Sequence, residues 1–183
     1  MAESLSEATR GASEQLKMRA QRLFGRSLHI RHVDAGSCNA CESEIKLLTS
    51  PYYDMQRLGL FFTTSPRHAD LLLVTGPVTR AMVDPLRQTY EAMPDPRLVV
   101  AVGACACSGG IFGESAFTLG GVEKVLPVDV FIPGCPPSPL TLIHGLLLAL
   151  GRAEQRLYGS IRQIHRPPPL QMLAPQAGER ERS

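Results

Sequence analysis

Five cysteines carry most of the chemistry this chain offers: Cys38 and Cys41 in GSCNACESEI (36–45), Cys105 and Cys107 in GACACSGG (103–110), and Cys135 in IPGCPP (132–137). A C-x-x-C pair alone reads as a redox dithiol, as half of a zinc site, or as the first two ligands of an iron–sulfur cluster. Glycine flanks the thiols in all of these loops. Without a Cβ it lets backbone N–H groups approach closely and donate to sulfide and thiolate, a padding that zinc does not need. Structural zinc sites usually pair two compact knuckles, whereas this chain has one C-x-x-C and no second one. A dithiol would use Cys38 and Cys41 and leave Cys135, between Gly134 and Pro136, unexplained. Pro136 removes the next backbone donor, and a Cys-Pro pair also ends the bacterial ferredoxin ligand run. These residues favour a four-cysteine cluster over zinc, and zinc over a dithiol. In the zinc case the chain is a zinc-stapled interaction module with no redox role.

Such a site needs a scaffold that gathers Cys41, Cys105 and Cys135, which stand 64 and 30 residues apart in sequence. A chain of 183 residues, 44% hydrophobic and 20% charged, can bury one sizeable core. Apolar, β-branched runs at 28–34, 59–65, 70–76, 97–103 and 128–134 predict strands, several of them continuously apolar like parallel strands buried on both faces. Helical stretches at 40–50, 79–93 and 138–152 fall between or after them, the last opening on Ser138 with Pro139 in its first turn. The alternation predicts an α/β fold with a doubly wound parallel sheet in a single domain. All five cysteines then follow carboxyl ends of strands, the rim where open parallel sheets bind ligands at the switch point of their strand order.

The rest of the composition sets limits. The longest apolar helix candidate, LIHGLLLAL at 142–150, falls short of the roughly 20 residues that span a bilayer and reads as a buried core helix. The first residues lack the charged-then-apolar plan of a secretory signal, which predicts a cytoplasmic, reducing setting where cysteines serve as ligands or reactive thiols. Net charge is distributed unevenly: residues 1–33 carry +3, 34–151 carry −4 and 152–183 carry +3. Charged termini most often solubilise, and the alternative is that basic arms dock on acidic subunits or anionic lipid. Nucleic acid is a poor fit, because the arms lack interleaved aromatics and the acidic centre repels phosphate. The expected organisation is a basic N-terminal arm over 1–27, the cysteine-bearing domain over 28–152, and an irregular C-terminal tail over 153–183.

Three motifs in order, C-x-x-C-E-x-E, G-x-C-x-x-x-G-G and P-G-C-P-P, with LLLVTGPVT between the first two, resemble the family that unites small subunits of [NiFe] hydrogenases with the small iron–sulfur subunit of respiratory complex I. The similarity covers about residues 28–152. It implies a flavodoxin-like core without flavin and one [4Fe–4S] cluster held by Cys38, Cys41, Cys105 and Cys135, with Cys105 at the G-x-C position and Cys107 at a variable one. Complex I subunits have adjacent cysteines in the first motif, and soluble uptake hydrogenases have more cysteines in a C-terminal extension. Here the first pair is spaced and no cysteine follows Cys135, which resembles the energy-converting, membrane-associated hydrogenases and formate hydrogenlyases; a complex I-like NADH/quinone oxidoreductase is the second branch. The resemblance implies an oxidoreductase subunit, itself a non-catalytic electron relay. Its implied partners are a [NiFe] hydrogenase-like large subunit, a ferredoxin-like iron–sulfur subunit and membrane subunits that hold it on the cytoplasmic side of the inner membrane.

The helix over 40–50 carries further expectations. Asn39 near its start and Glu42 three residues on resemble a capping box, which leaves Glu42 structural. Glu44, three residues after Cys41, shares its helical face, and the resemblance implies a proton-path role for it; a surface glutamate stabilising a first turn fits equally well. Cys105 and Cys107, if extended, point the same way. The five histidines show no convincing ligand spacing, and GACACSGGIFG matches neither a Walker loop nor a dinucleotide fingerprint. If the basic arms dock on partners, deleting residues 1–26 weakens assembly or membrane association in pull-down and fractionation while iron content is unchanged; unaltered assembly leaves them as solubilising arms.

Overall fold

Five strands form at the apolar runs: β1 Leu28–Asp34, β2 Leu60–Phe62, β3 Leu71–Thr75, β4 Leu98–Val102 and β5 Val130–Ile132. The computed structural model describes residues 25–164 together with Met18 and Arg22, with side chains described through residue 151. The strands pair in the order β2-β1-β3-β4-β5, each pair parallel, which is the flavodoxin-like order with its switch point between β1 and β3. In β3 and β4 every residue is buried, as strands covered on both faces must be.

Alternation along those strands feeds two cores. On one face Leu28, Ile30, Leu71, Leu73, Val100 and Ile132 pack with Ile45 and Leu48 from helix α1 (Ala40–Leu47) and its end, and with Leu142 and Leu146 from the terminal helix. On the other face Leu72, Val74, Val99 and Ala101 pack with Leu86 of α2 (Val83–Glu91) and Ala106 of α3 (Gly103–Ser108). Helices on both faces make the sheet doubly wound, as the alternation predicts. At the opposite rim from the cysteines, buried Asp70 accepts from Arg26 at 2.7 Å and from the His29 amide at 3.0 Å, fixing the entry into β1.

Several boundaries differ from the sequence reading, and two of them have a clear cause. The run at 59–65 forms a strand only over Leu60–Phe62, because Pro66 opens a 3-10 turn soon after. The last helix, α4, runs Pro139–Ile164 rather than stopping near 152, so the first part of the expected irregular tail is helical. Its later sequence RAEQRLYGSIRQI is built on Arg and Gln with Ala, Glu and Leu, which outweigh its single glycine, and the first proline comes at Pro167. The N-terminal arm up to residue 24, apart from Met18 and Arg22, and the chain from 165 onward lie outside the described residues. Among the described residues no helix is long and apolar enough to cross a membrane.

Candidate functional site

The loop after β1 is shaped by short-range hydrogen bonds. Asp34 Oδ1 accepts from the amides of Gly36 at 2.8 Å and Ser37 at 2.6 Å, and the Ala35 amide donates to the Thr75 carbonyl at 2.9 Å. This turns the chain sharply after the strand and presents Cys38. Asn39 then takes a left-handed conformation, φ 72°, with its carbonyl accepting from the Ser43 amide and no side-chain cap. The expected capping box does not form. Glu42, which should have reached back to the cap, is instead 7% exposed and turned into the protein. The reason is helical spacing: Glu42 lies three residues before Ile45, on the same inward stripe as that core residue.

The loops after β4 and β5 meet this one. The Ala104 amide donates to the Gly134 carbonyl at 2.8 Å, tying the Cys105 segment to the Cys135 segment. Gly103 has φ 88°, and a Cβ there would stand 2.6 Å from Cys41 Sγ, so its lack of a side chain is what admits the Cys41 thiol. Past α3, a Cβ on Gly110 would stand 3.0 Å from Cys105 Sγ. Burial pushes the Cys41 thiol up to about 12, helped by Glu42 and then by Cys38, Cys105 and Cys135. Burial also raises Cys105, with Cys135 and Cys38 adding to it. Gly103 and Gly110 thus leave room for the Cys41 and Cys105 thiols at the rim where the Ala104–Gly134 hydrogen bond also brings the Cys135 loop. Among the described residues, no three His, Cys, Asp or Glu side chains are drawn together tightly enough to hold a single metal ion.

Cys107 goes elsewhere. The segment is a turn of α-helix rather than extended, and at about 100° per residue the two side chains leave it on opposite sides. Cys107 packs against the α2–α3 face core and donates weakly to the Ala101 carbonyl at 3.7 Å. The expectation that both thiols point the same way is therefore corrected. Glu44 is half-buried on α1, one turn beyond Cys41.

Polar groups gathered around Glu42, the residue after Cys41, form a feature the sequence reading missed. Thr75 Oγ1 donates to Glu42 Oε1, and His32 Nε2 lies 2.9 Å from Thr75 Oγ1 and 3.7 Å from Glu42 Oε1. Since the Thr75 proton goes to Glu42, the hydroxyl is left to accept from His32 Nε2–H. Glu42 Oε2 is buried without a partner among the described residues. Glu42 and His32 border a cavity of about 460 Å³ whose lining includes Arg31, Lys46 and Phe62. The 42/45/48 spacing in the helix was the sequence signal for an inward carboxylate. Burial lowers the His32 pKa and outweighs the opposing pull of Glu42 and Asp34.

Residues 38–149 match the family described as NADH ubiquinone oxidoreductase, 20 Kd subunit. The chain belongs to that family. Within it, the chain is 46% identical over 140 residues to the probable membrane-bound hydrogenase subunit mbhJ of Pyrococcus furiosus, covering 76% of this chain and 84% of that one. It is 47% identical over 133 residues to formate hydrogenlyase subunit 7 of Escherichia coli, covering 73% of this chain and 52% of the relative, so it spans about half of that protein. Among solved structures, a chain of the archaeal membrane-bound sulfane sulfur reductase, a respiratory membrane complex, superposes with TM-score 0.62 at 35% identity over 71% of this chain and 72% of that one. A chain of an NAD+-reducing [NiFe]-hydrogenase shares the fold, with TM-score 0.50 at 21% identity over 62% of this chain and 85% of that one. This 20 kDa subunit family member is thus of the complex I and [NiFe] hydrogenase small-subunit type that its motifs resemble.

Two outcomes follow from the geometry. Gly103→Ala puts a methyl against Cys41 Sγ at a positive φ and costs about 1–3 kcal/mol in denaturant unfolding. For His32, a folded-state value below the ordinary 6.5 means that the unfolded chain takes up the proton first as pH falls. Its contribution is therefore complete above about 6.5 and drains away below it. His32→Gln, which keeps a nitrogen donor but does not titrate, flattens that part of the stability profile in thermal melts.

Proposed function

We propose that this chain is the electron-relay subunit of a membrane-associated [NiFe] hydrogenase-type complex, holding one [4Fe–4S] cluster through Cys38, Cys41, Cys105 and Cys135 beside the catalytic large subunit. What supports it is the meeting of three glycine-lined loops at one rim, where Gly103 and Gly110 leave room for the Cys41 and Cys105 thiols while Cys107 packs into the core. The donor set fits: thiolates crowded together repel one another, and a cationic iron centre reverses that penalty. When bound, such a cluster supplies one-electron transfer.

This chain's residues shape that role. Gly103 and Gly110 keep the space beside Cys41 and Cys105 free of side chains. Asp34 and Thr75 hold the Cys38 loop in its turn. Glu44, half-buried on the Cys41 helix, is the candidate for passing protons toward the partner. Ile111 and Phe117, 94% and 81% exposed in the segment after α3, are large apolar side chains of the kind a partner covers. We assign that surface to a [NiFe] hydrogenase-like large subunit, with a ferredoxin-like iron–sulfur subunit and membrane subunits completing an assembly on the cytoplasmic side of the inner membrane. Support comes from relatives named as a membrane-bound hydrogenase subunit and a formate hydrogenlyase subunit.

A second reading rests on the 35% identity to a chain of a sulfane sulfur reductase complex: the same relay serving a different redox couple. Paired C-x-x-C motifs in the accompanying large subunit favour the hydrogenase, and their absence favours the other couple. The primary test is anaerobic purification. A broad brown visible band with iron and sulfide is expected; a colourless protein with stoichiometric zinc overturns the relay reading in favour of a zinc-stapled module. Cys105→Ala should abolish the four-iron signal, while Cys107→Ala leaves iron content near normal.

A further inference from the structure

We propose that Thr75 is the positioning residue for the cysteine loop after β1, and that through Glu42 it fixes a buried carboxylate beside the cluster and holds the reduction potential down. The inference rests on the relay reading above and concerns groups that are not ligands in it. Thr75 ends β3, the strand across the switch point from β1. Its carbonyl accepts from the Ala35 amide at the start of the loop, and its hydroxyl donates to Glu42 at the far end, next to Cys41. One fully buried residue therefore grips both ends of the segment that carries Cys38 and Cys41. His32 completes the order of donors, Nε2–H to Thr75 and Thr75 O–H to Glu42, so the hydroxyl has no freedom to turn away.

Glu42 differs from the other buried carboxylate. Asp70 has Arg26 and a backbone amide as partners, whereas Glu42 Oε2 has none among the described residues. A buried, half-satisfied acid is retained against its desolvation cost, which calls for a role. Placed on the residue after Cys41 and turned inward, a negative charge there opposes the arrival of an electron. Thr75 decides where that charge points.

The test uses the assembled complex, purified without oxygen, with iron content measured and the cluster titrated by EPR. Glu42→Gln keeps the shape, removes the charge, and should raise the midpoint potential by an amount equal to about a tenfold shift in the one-electron equilibrium, about 59 mV. Thr75→Val keeps the β-branched shape and the backbone carbonyl and removes the hydroxyl alone; it should change the EPR line shape and the potential, and Thr75→Ser should restore both. Wild-type potential and line shape in Glu42→Gln and Thr75→Val at full iron overturn the inference. Loss of iron in Thr75→Val that Thr75→Ser repairs supports it, and equal loss in both overturns the role of the hydroxyl. Zinc in place of iron in the wild-type complex fails the relay reading itself, and the inference with it.

Discussion

Parallel pairing is the constraint on which the rest depends. With every strand running the same way, every strand-to-helix loop leaves from one rim, and cysteines scattered through the sequence arrive there without any long-range contact designed for them. The cost is burial on both sides: β3 and β4 must be apolar throughout, which leaves polar chemistry to strand ends. Thr75 and Asp34, which organise the rim, are the last residues of their strands for this reason.

What the rim then needs is room and direction. Positive-φ glycine supplies the room at Gly103, where backbone passes a thiol closer than any side chain allows. Direction comes from small turns: the Asp34 turn, the left-handed Asn39 and the single helical turn of α3. Each is worth little alone. Together they decide how the five sulfurs are presented, Cys38 and Cys135 exposed and the other three half-buried.

The fold was legible because its signal is coarse. Continuous apolar runs and helical spacing depend on burial alone, so the strands and the helices at 40–50, 79–93 and 138–152 were visible in outline. Their ends were less so, since Pro66 and the strong helix formers after Gly151 act at single residues. The site was legible in its residue types and in its rim position, but not in its orientations. Asn39 was read as a cap on the strength of its type, and the left-handed backbone there removed the geometry that a cap requires. Glu42 was read from its distance to Asn39, when its distance to Ile45 was the one that mattered. The direction of Cys107 depended on whether five or six residues coil or extend after β4, a choice that Gly103 and the Gly134 carbonyl make across the sheet.

The helical turn between Cys105 and Cys107 has a consequence for damage and repair. A disulfide requires the two Cβ vectors to converge, and on opposite sides of one helical turn they diverge. Oxidants that reach this rim therefore do not lock Cys105 to its nearest cysteine in sequence. Cys107 is half-buried against apolar neighbours, and burial raises its thiol pKa, which slows its exchange. A reductant acting on this rim then meets no Cys105–Cys107 pair to undo.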